Sequence, residues 1–440
     1  YKVQIAHIIA KQEIGLTADE ITEMIEVPTD SQNGDFAFPC FRLAKAMRKA
    51  PQMIAGDIAT AIESESIFEK VEQVSAYVNM FICKDAFVQN VVSEVASLGD
   101  EYGKSDVGEG KKVIVEFSSP NIAKPFHIGH IRSTVIGNSI YKLYDATGYD
   151  VVRINHLGDY GTQFGKMIVA YRLWGSDEEL EQNPIKSLLK YYTKFHEEAE
   201  KDPSLDDKAR ETFAKLENGD AEEVELWKRF RELSLEEFSR VYKMLDIEFD
   251  SYAGESFYSD KMPAVLQELK DKNLMHESRG AQIVDLEDYD MPPAVITKSD
   301  GSSLYATRDI AAAIYRKQHY DFYKNIYVVA TQQNLHFKQW KQVLALMGYE
   351  WEEDCIHVPF GLVSLEEGTM STRKGRVVFL EDVLNKAVEK TREIISEKNT
   401  SGIDIDEISK EVGIGAVIFQ ELSNNRIKDY VFSWDKVLNF

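Results

Sequence analysis

A β-branched run at Lys111–Glu116 passes through a loop with two prolines into a helix that starts near His130 and runs through Asn138 to Leu143. A second strand at Val151–Asn155 and helical spacing up to Tyr171 complete a strand–helix–strand–helix order. No other feature of the chain constrains the fold as much, because a helix returning between two strands makes them parallel, in a sheet covered on both faces. The expected class is α/β, with a parallel sheet built from βαβ units.

The junction Glu116-Phe-Ser-Ser-Pro-Asn-Ile-Ala-Lys-Pro-Phe-His127-Ile-Gly-His130 suits nucleotide phosphates. A helix N-terminus offers unpaired N–H groups and a partial positive charge, so an anion there is stabilised without a cationic side chain. His127 and His130, three residues apart, share one face and can donate to a phosphate oxygen that gains charge as pyrophosphate departs. Gly129 lacks a Cβ, which lets a base or ribose approach the backbone, and Pro120 and Pro125 stiffen the loop. By itself His-x-Gly-His also fits two ordinary histidines. The strand before it and the helix after it are the context that a phosphate site needs.

With 440 residues, 44% of them hydrophobic and 28% charged, the chain exceeds one typical domain, and two to four are expected. It has no apolar run of eighteen residues and no signal-peptide layout, so a cytoplasmic protein without a membrane segment is expected. Cys40, Cys83 and Cys355 are too scattered for a disulfide framework or a Cys-x-x-Cys site, so neither structural zinc nor another metal site is expected. A net charge of −23 argues against non-specific coating of nucleic acid. Acidic residues concentrate in Ser176–Glu248. Lys111, Lys112, Lys124, Arg132, Arg373, Lys374 and Arg376 are expected to surround the active segments and give a polyanion one face.

Residues 1–105 read as a small N-terminal α+β domain with a polar turn at Ser31–Asp35 and a helix over Phe41–Ala50; Gly99–Gly110 reads as the linker. Residues 106–395 read as the main domain. A helical insertion over about 176–280 interrupts it, marked by the spacing of Leu188, Tyr191 and Phe195 and then of Leu226, Phe230 and Leu233. The sheet then resumes with a hairpin-like pair, Ile283–Leu286 and Ala294–Thr297, and a buried strand at Ile326–Ala330. Residues 396–440 begin a C-terminal helical region.

The stretch Glu366–Arg376 combines glycines, hydroxyls and three cations without helical or strand period. It reads as a phosphate clamp whose cations act on a triphosphate when closed, or as a solvated basic turn. Glu116 stands at the carboxyl end of its strand, where ligands of open α/β sheets bind, and suits a cationic substrate. Tyr305 and Asp309, four apart on a helix over Leu304–Lys317, add a phenol and a second carboxylate, or form a surface pair. Gln332 and Gln333 follow another strand end, and His156-Leu-Gly-Asp159-Tyr160-Gly161 also reads as a tight turn.

The His-Ile-Gly-His segment and the Met-Ser-Thr-Arg-Lys-Gly loop, in that order around an insertion in a βα domain, resemble the class I aminoacyl-tRNA synthetases. Four longer stretches, Glu116–His127, Asn155–Asp159, Leu304–Ala311 and Ser423–Tyr430, resemble arginyl-tRNA synthetases over nearly the whole chain. The resemblance implies the class I synthetase Rossmann-type sheet with its helical insertion, ATP with Mg2+, L-arginine as substrate and tRNA(Arg) as partner. Arginyl-adenylate would form and its arginyl group pass to the terminal adenosine 2′-hydroxyl. His127, Gly129 and His130 would bind ATP, with Met370, Ser371, Arg373 and Lys374 closing over its phosphates; His127, His130 and Lys124 would form the catalytic set. Glu116, Asn121, His156, Tyr305, Asp309, Gln332 and Gln333 would line the arginine pocket. Carboxylates that read a five-donor guanidinium reject lysine, so hydrolytic editing is not expected.

The chain departs from the family pattern in three places. Thr369 and Thr372 stand where the Lys-Met-Ser-Lys-Ser loop has lysines, so Lys124, supported by Arg373 and Lys374, is the expected phosphate cation. Ser75–Asn79 differs from the glycine-rich turn of the N-terminal domain expected to contact the corner of the tRNA. The chain begins without Met and stops at Phe440, just after Ser-Trp-Asp, where the family continues into an anticodon-binding domain. A monomeric fragment, complete for ATP and arginine but short of tRNA grip, is expected. Two rivals fit less well: a nucleotidylyltransferase has no use for Glu116, Tyr305 and Asp309, and a non-catalytic tRNA-binding relative would have lost the histidines or the loop cations.

Overall fold

The computed structural model describes residues 1–297, 305–364, 377–397 and 404–434, which divide between two units, Tyr1–Lys104 and Ser105–Phe440. In the first unit, strands β1 (Phe36–Pro39), β2 (Phe68–Val74) and β3 (Tyr77–Ile82) form an antiparallel sheet in the order β1-β3-β2. Helix Pro51–Ile62 places Ile54, Ile58 and Ile62 on one stripe, in the same core as Val78 and Met80 of β3. The expected helix over Phe41–Ala50 is shorter, Leu43–Met47, and ends on Arg48 in left-handed backbone at φ 49°. Pro51 begins the next helix and restricts Ala50 to extended backbone, which prevents fusion of the two. The turn between β2 and β3 puts Ser75 at φ 54°, a left-handed conformation that glycine adopts most easily.

The second unit is built on a four-stranded parallel sheet. Strands β4 (Lys112–Glu116) and β5 (Asp150–Ile154) come first. Three short antiparallel strands come next, β6 (Met275–Ser278) at the end of the insertion, β7 (Ala281–Val284) and β8 (Ala294–Thr297), then β9 (Lys324–Ala330) and β10 (Cys355–Phe360). The parallel order is β10-β9-β4-β5, so the chain leaves β4 in one direction and returns on its other side. The topological switch point therefore lies between β4 and β9, beyond Glu116 and Ala330, and ligands of such sheets bind in the crevice there. β6 and β10 were not anticipated: β6 is mostly polar, and His357 and Pro359 interrupt the apolar run of β10.

Val113, Ile114 and Val115 are fully buried because helices cover both sheet faces. Val113 and Val115 join one core and Ile114 the other, as the two-residue period of a strand requires. Helix Ile131–Ala146 lies very close to the chain leaving β4: a Cβ on Gly137 would sit 2.1 Å from Phe117 Cβ. The insertion opens with four helices, Asp177–Gln182, Pro184–Ala199, Ser204–Glu217 and Ala221–Met244. After β10, the two-residue strand β11 (Val363–Ser364) pairs in parallel with β12 (Tyr430–Val431), and helices Leu380–Glu397 and Ile405–Ser423 pack together between them in sequence. Among the described residues no helix is long and apolar enough to cross a membrane.

Candidate active site

The loop leaving β4 is held in unusual backbone. Ser118, Ser119 and Ala123 all have positive φ, at 69°, 47° and 58°, and such conformations persist only where neighbours fix them. Ser118 N–H donates to Ser133 Oγ at 2.9 Å, and Ser118 Oγ is 2.8 Å from both Thr134 Oγ1 and Tyr242 OH. Ser133 donates on to Val328 O of β9 at 2.8 Å, and Asn155 Nδ2 donates to Tyr242 OH at 2.9 Å. Ala123 N–H donates to Ser234 Oγ at 2.8 Å. Tyr242 and Ser234 belong to insertion helix Ala221–Met244, so the insertion braces the loop. Gly158 lies against the same loop; a Cβ there would meet Asn121 Oδ1 at 2.1 Å.

His127 caps and His130 ends a single 3₁₀ turn, Ile128–His130, that leads into helix Ile131–Ala146, with ring centroids 3.9 Å apart. Gly129 N–H donates to His127 Nδ1 at 3.1 Å, and His127 N–H donates to His130 Nδ1 at 3.1 Å; His130 Nδ1 also lies 3.2 Å from His127 O. With Nδ1 accepting in both rings, a neutral imidazole carries its proton on Nε2. Burial, reinforced by the charge of Lys124, pushes His127 down to about 4, and burial with His127 and Lys124 pushes His130 well below its usual value. At neutral pH the pair is thus two uncharged rings with Nε2–H donors. Phe126 stacks on His130 at 5.1 Å. Lys124 Nζ donates to Gln163 Oε1 at 3.0 Å and lies 5.5 Å from the Tyr192 ring.

Met370, Ser371, Arg373 and Lys374, the expected phosphate clamp, lie outside the described residues, but both flanks of that loop are placed. Ile128 N–H donates to Val378 O at 3.0 Å and Leu380 N–H to Phe126 O at 2.9 Å, so the chain after the loop is laced to the histidine segment. On the other flank, Arg132 is fully buried and donates to the carbonyls of Gly361 and Lys428 at 2.8 Å, Arg426 at 3.1 Å and Asn425 at 3.4 Å. This corrects the expectation that Arg132 belongs to a basic face: it fastens the histidine helix to the chain between β10 and β11 and to the segment before β12. Lys111 and Lys112 are displaced as well. They stand at the opposite end of β4 from Glu116 and pair with Glu109 and Asp150.

Arg132 also faces Glu421 of helix Ile405–Ser423 at 3.4 Å, both side chains almost wholly buried. Burial pushes the Glu421 carboxyl up to about 7, against the pull of Arg132. Between the usual 4.5 and about 7 the folded chain holds a proton that the unfolded chain has released, so this group makes stability fall as pH rises through that window. Glu421→Gln is expected to flatten the fall by about 1–3 kcal/mol. Denaturant unfolding at pH 5 and pH 7.5 checks it; equal slopes for the two proteins would mean that the carboxylate is ionised throughout.

Beyond the switch point lies a cluster of charged side chains. Glu116 ends β4 nearly buried, with Oε2 2.6 Å from Nη1 of the fully buried Arg316 on helix Tyr305–Tyr320. His156, just past β5, feels the charges of Glu116, Arg316, Asp309 and Asp159, and burial lowers its pKa. Asp309 Oδ2 is 2.5 Å from His336 Nε2. Burial pushes Glu255 up to about 7 although Arg308 stands 3.3 Å away, with Asp309 and Asp159 adding to the rise. Tyr305 is 65% exposed and senses Glu255, Arg308 and Asp309. Glu116, His156, Tyr305 and Asp309 therefore share one electrostatic neighbourhood. Gln332 and Gln333 are exposed on the 3₁₀ turn directly after β9, and Asn121 is exposed beside Gly158. Sequence reasoning missed Arg316, Arg308, Glu255 and His336; the one available signal for Arg316 is its place two helical turns after Asp309, on the same face.

Residues 91–434 match the family described as tRNA synthetases class I (R), catalytic domain, and residues 1–82 match the arginyl tRNA synthetase N terminal domain. A protein named arginine–tRNA ligase from Clostridioides difficile (strain 630) is 62% identical over all 440 residues, which span 78% of its length. Its namesake from Halothermothrix orenii is 60% identical over the same span and the same 78% share. Among solved structures, the arginyl-tRNA synthetase of Plasmodium falciparum aligns with a TM-score of 0.68 and 25% identity, over 98% of this chain and 77% of that one. That of Thermus thermophilus, 22% identical with a TM-score of 0.69 over 99% and 77%, shares the fold.

Proposed function

The chain belongs to the arginyl-tRNA synthetases of class I, and from that premise we propose how its residues divide the joining of L-arginine to tRNA(Arg) with ATP. In the first step a carboxylate oxygen of arginine attacks the α-phosphorus, the bond to the bridging oxygen breaks and pyrophosphate leaves. In the second, the 2′-hydroxyl of the terminal adenosine attacks the adenylate carbonyl and AMP leaves.

The observation that carries the assignment is that Glu116 and the His127–His130 pair stand at the two ends of one braced loop at the sheet's switch point. Glu116 and Asp309, with Tyr305 and one of Gln332 and Gln333, accept the guanidinium, His156 lines the pocket, and Asn121 meets the α-amino or carboxylate end. His127 and His130 donate Nε2–H to the phosphates with Lys124 as the nearby cation, and Gly129 leaves room for the nucleotide. Met370, Ser371, Arg373 and Lys374 close over the phosphates, from a loop whose flanks are bonded to the histidine segment and to Arg132. Magnesium arrives on ATP as a substrate-borne ion. Residues 1–105 contact the corner of the tRNA, 106–395 do the chemistry around the insertion at about 176–280, and 396–440 form a helical stem. The protein acts as a monomer in the cytoplasm.

Calorimetry with arginine, and with lysine as control, in the presence of a non-hydrolysable ATP analogue tests the reading. Arginine is expected to bind and lysine to bind at least 10³-fold more weakly, because a fork-shaped site leaves acceptors unpaired around an ammonium. Equal binding of the two would overturn it.

A further inference from the structure

The charged cluster beyond Glu116 contains a buried cation. Arg316 is fully buried, and its three guanidinium nitrogens face three partners: Nε–H donates to Tyr258 OH at 3.3 Å, Nη2 lies 3.4 Å from His156 Nδ1, and Nη1 lies 2.6 Å from Glu116 Oε2. The rings of Tyr258 and Tyr327 flank it at 5.7 and 5.5 Å. Nη1 forms no hydrogen bond of good geometry despite its closeness to Glu116. The pair is thus a single off-line contact instead of the bidentate fork that these two groups can make. Asp309, by contrast, is hydrogen-bonded to His336, with Oδ2 2.5 Å from Nε2.

We propose that Arg316 is a positioning residue that sets amino-acid specificity: it holds the Glu116 carboxylate at the crevice with its charge already balanced, so the pocket selects by hydrogen-bond geometry and offers little to a point charge. The inference rests on the reading of Glu116 as an acceptor for the substrate guanidinium. Coulomb attraction into a pocket depends on net charge and distance, and it rewards an ammonium as readily as a guanidinium. An unbalanced Glu116 beside Asp309 would therefore attract lysine as well as arginine. With Arg316 in place that shape-blind attraction is reduced, and the directional part remains. The carboxylate oxygen that Arg316 leaves aside, together with Asp309 and Tyr305, can accept a planar fork, which lysine does not present. Sitting two helical turns from Asp309 on the same helix, Arg316 also ties the two carboxylates to one rigid element.

The test is amino-acid-dependent ATP–pyrophosphate exchange by the full-length enzyme with tRNA, arginine and lysine being assayed in parallel. Arg316→Gln is expected to narrow the arginine-to-lysine ratio of kcat/KM at least tenfold and to raise the arginine KM, with kcat and the ATP KM within threefold. Arg316→Lys, which restores a cation, is expected to keep the ratio within threefold of the unsubstituted enzyme. A folded glutamine variant with unchanged discrimination, or one whose ATP KM moves as far as its arginine KM, would overturn the proposal. Should the glutamine variant fail to fold, the lysine variant decides, and a tenfold narrowing there counts against the idea. An unsubstituted enzyme with no arginine-dependent exchange would instead refute the reading of the pocket itself.

Discussion

Glu116→Gln is expected to weaken arginine binding by about 10²–10³-fold or more while leaving ATP binding within threefold. Removing the charge of one partner of a buried ion pair is strongly destabilising, because the other partner stays desolvated. Here two cations are affected. The substrate guanidinium loses an acceptor, and Arg316, wholly buried and 2.6 Å from the same carboxylate, loses its counter-ion even when the pocket is empty. An uncompensated buried charge costs about 3–5 kcal/mol of folding stability, so a lower melting temperature is expected alongside the binding defect. ATP binding is the internal control, because the histidine pair is held by its own backbone bonds and by Phe126. Titration of both ligands well below the melting temperature separates the effects; equal losses for arginine and ATP would mean that the substitution acts through the fold alone.

His130→Ala is expected to slow adenylate formation by about 10²–10³-fold, the usual consequence of removing one preorganised donor from developing negative charge, with arginine affinity within threefold. The ring arrangement sharpens the expectation. Since Nδ1 accepts from the His127 backbone, only Nε2–H is left for the phosphate. His130→Gln, whose amide nitrogen reaches the Nε2 position, should keep more of the rate than His130→Asn, whose nitrogen reaches only as far as Nδ1. Single-turnover measurement of adenylate formation distinguishes them, and equal rates for the two amides would place the donated proton elsewhere.

The parts of this architecture encoded within a few residues were legible in the sequence. The β-branched strand, the loop and the helix after His130 are local patterns, and the buried β4 and β9 answer to them. What depends on distant chain was not. Lys111 and Lys112 precede Glu116 closely in sequence, but a strand advances about 3.3 Å per residue and carries them to the far end of the sheet. Arg132 sits two residues after a site histidine and reads as a surface cation, yet Gly361 and the 425–428 segment supply carbonyls that bury it. Arg316 escapes notice for the same reason. A lone arginine on a helix ordinarily faces water, and only the return of β9 beside β4, which supplies Glu116 and Tyr327, and the 3₁₀ segment Glu255–Lys261, which supplies Tyr258, surround it.

The bracing of the strained loop by Tyr242 and Ser234 sets a limit on miniaturising this enzyme. The insertion looks like a detachable module, joined to the sheet after β5 and before β6, and three of its four opening helices supply none of the loop's hydrogen bonds described above. The fourth is different in kind: trimming it would release a segment whose Ser118, Ser119 and Ala123 conformations are unfavourable on their own. A shortened catalyst must therefore keep helix Ala221–Met244 as part of its irreducible core and take its savings from the helices before it.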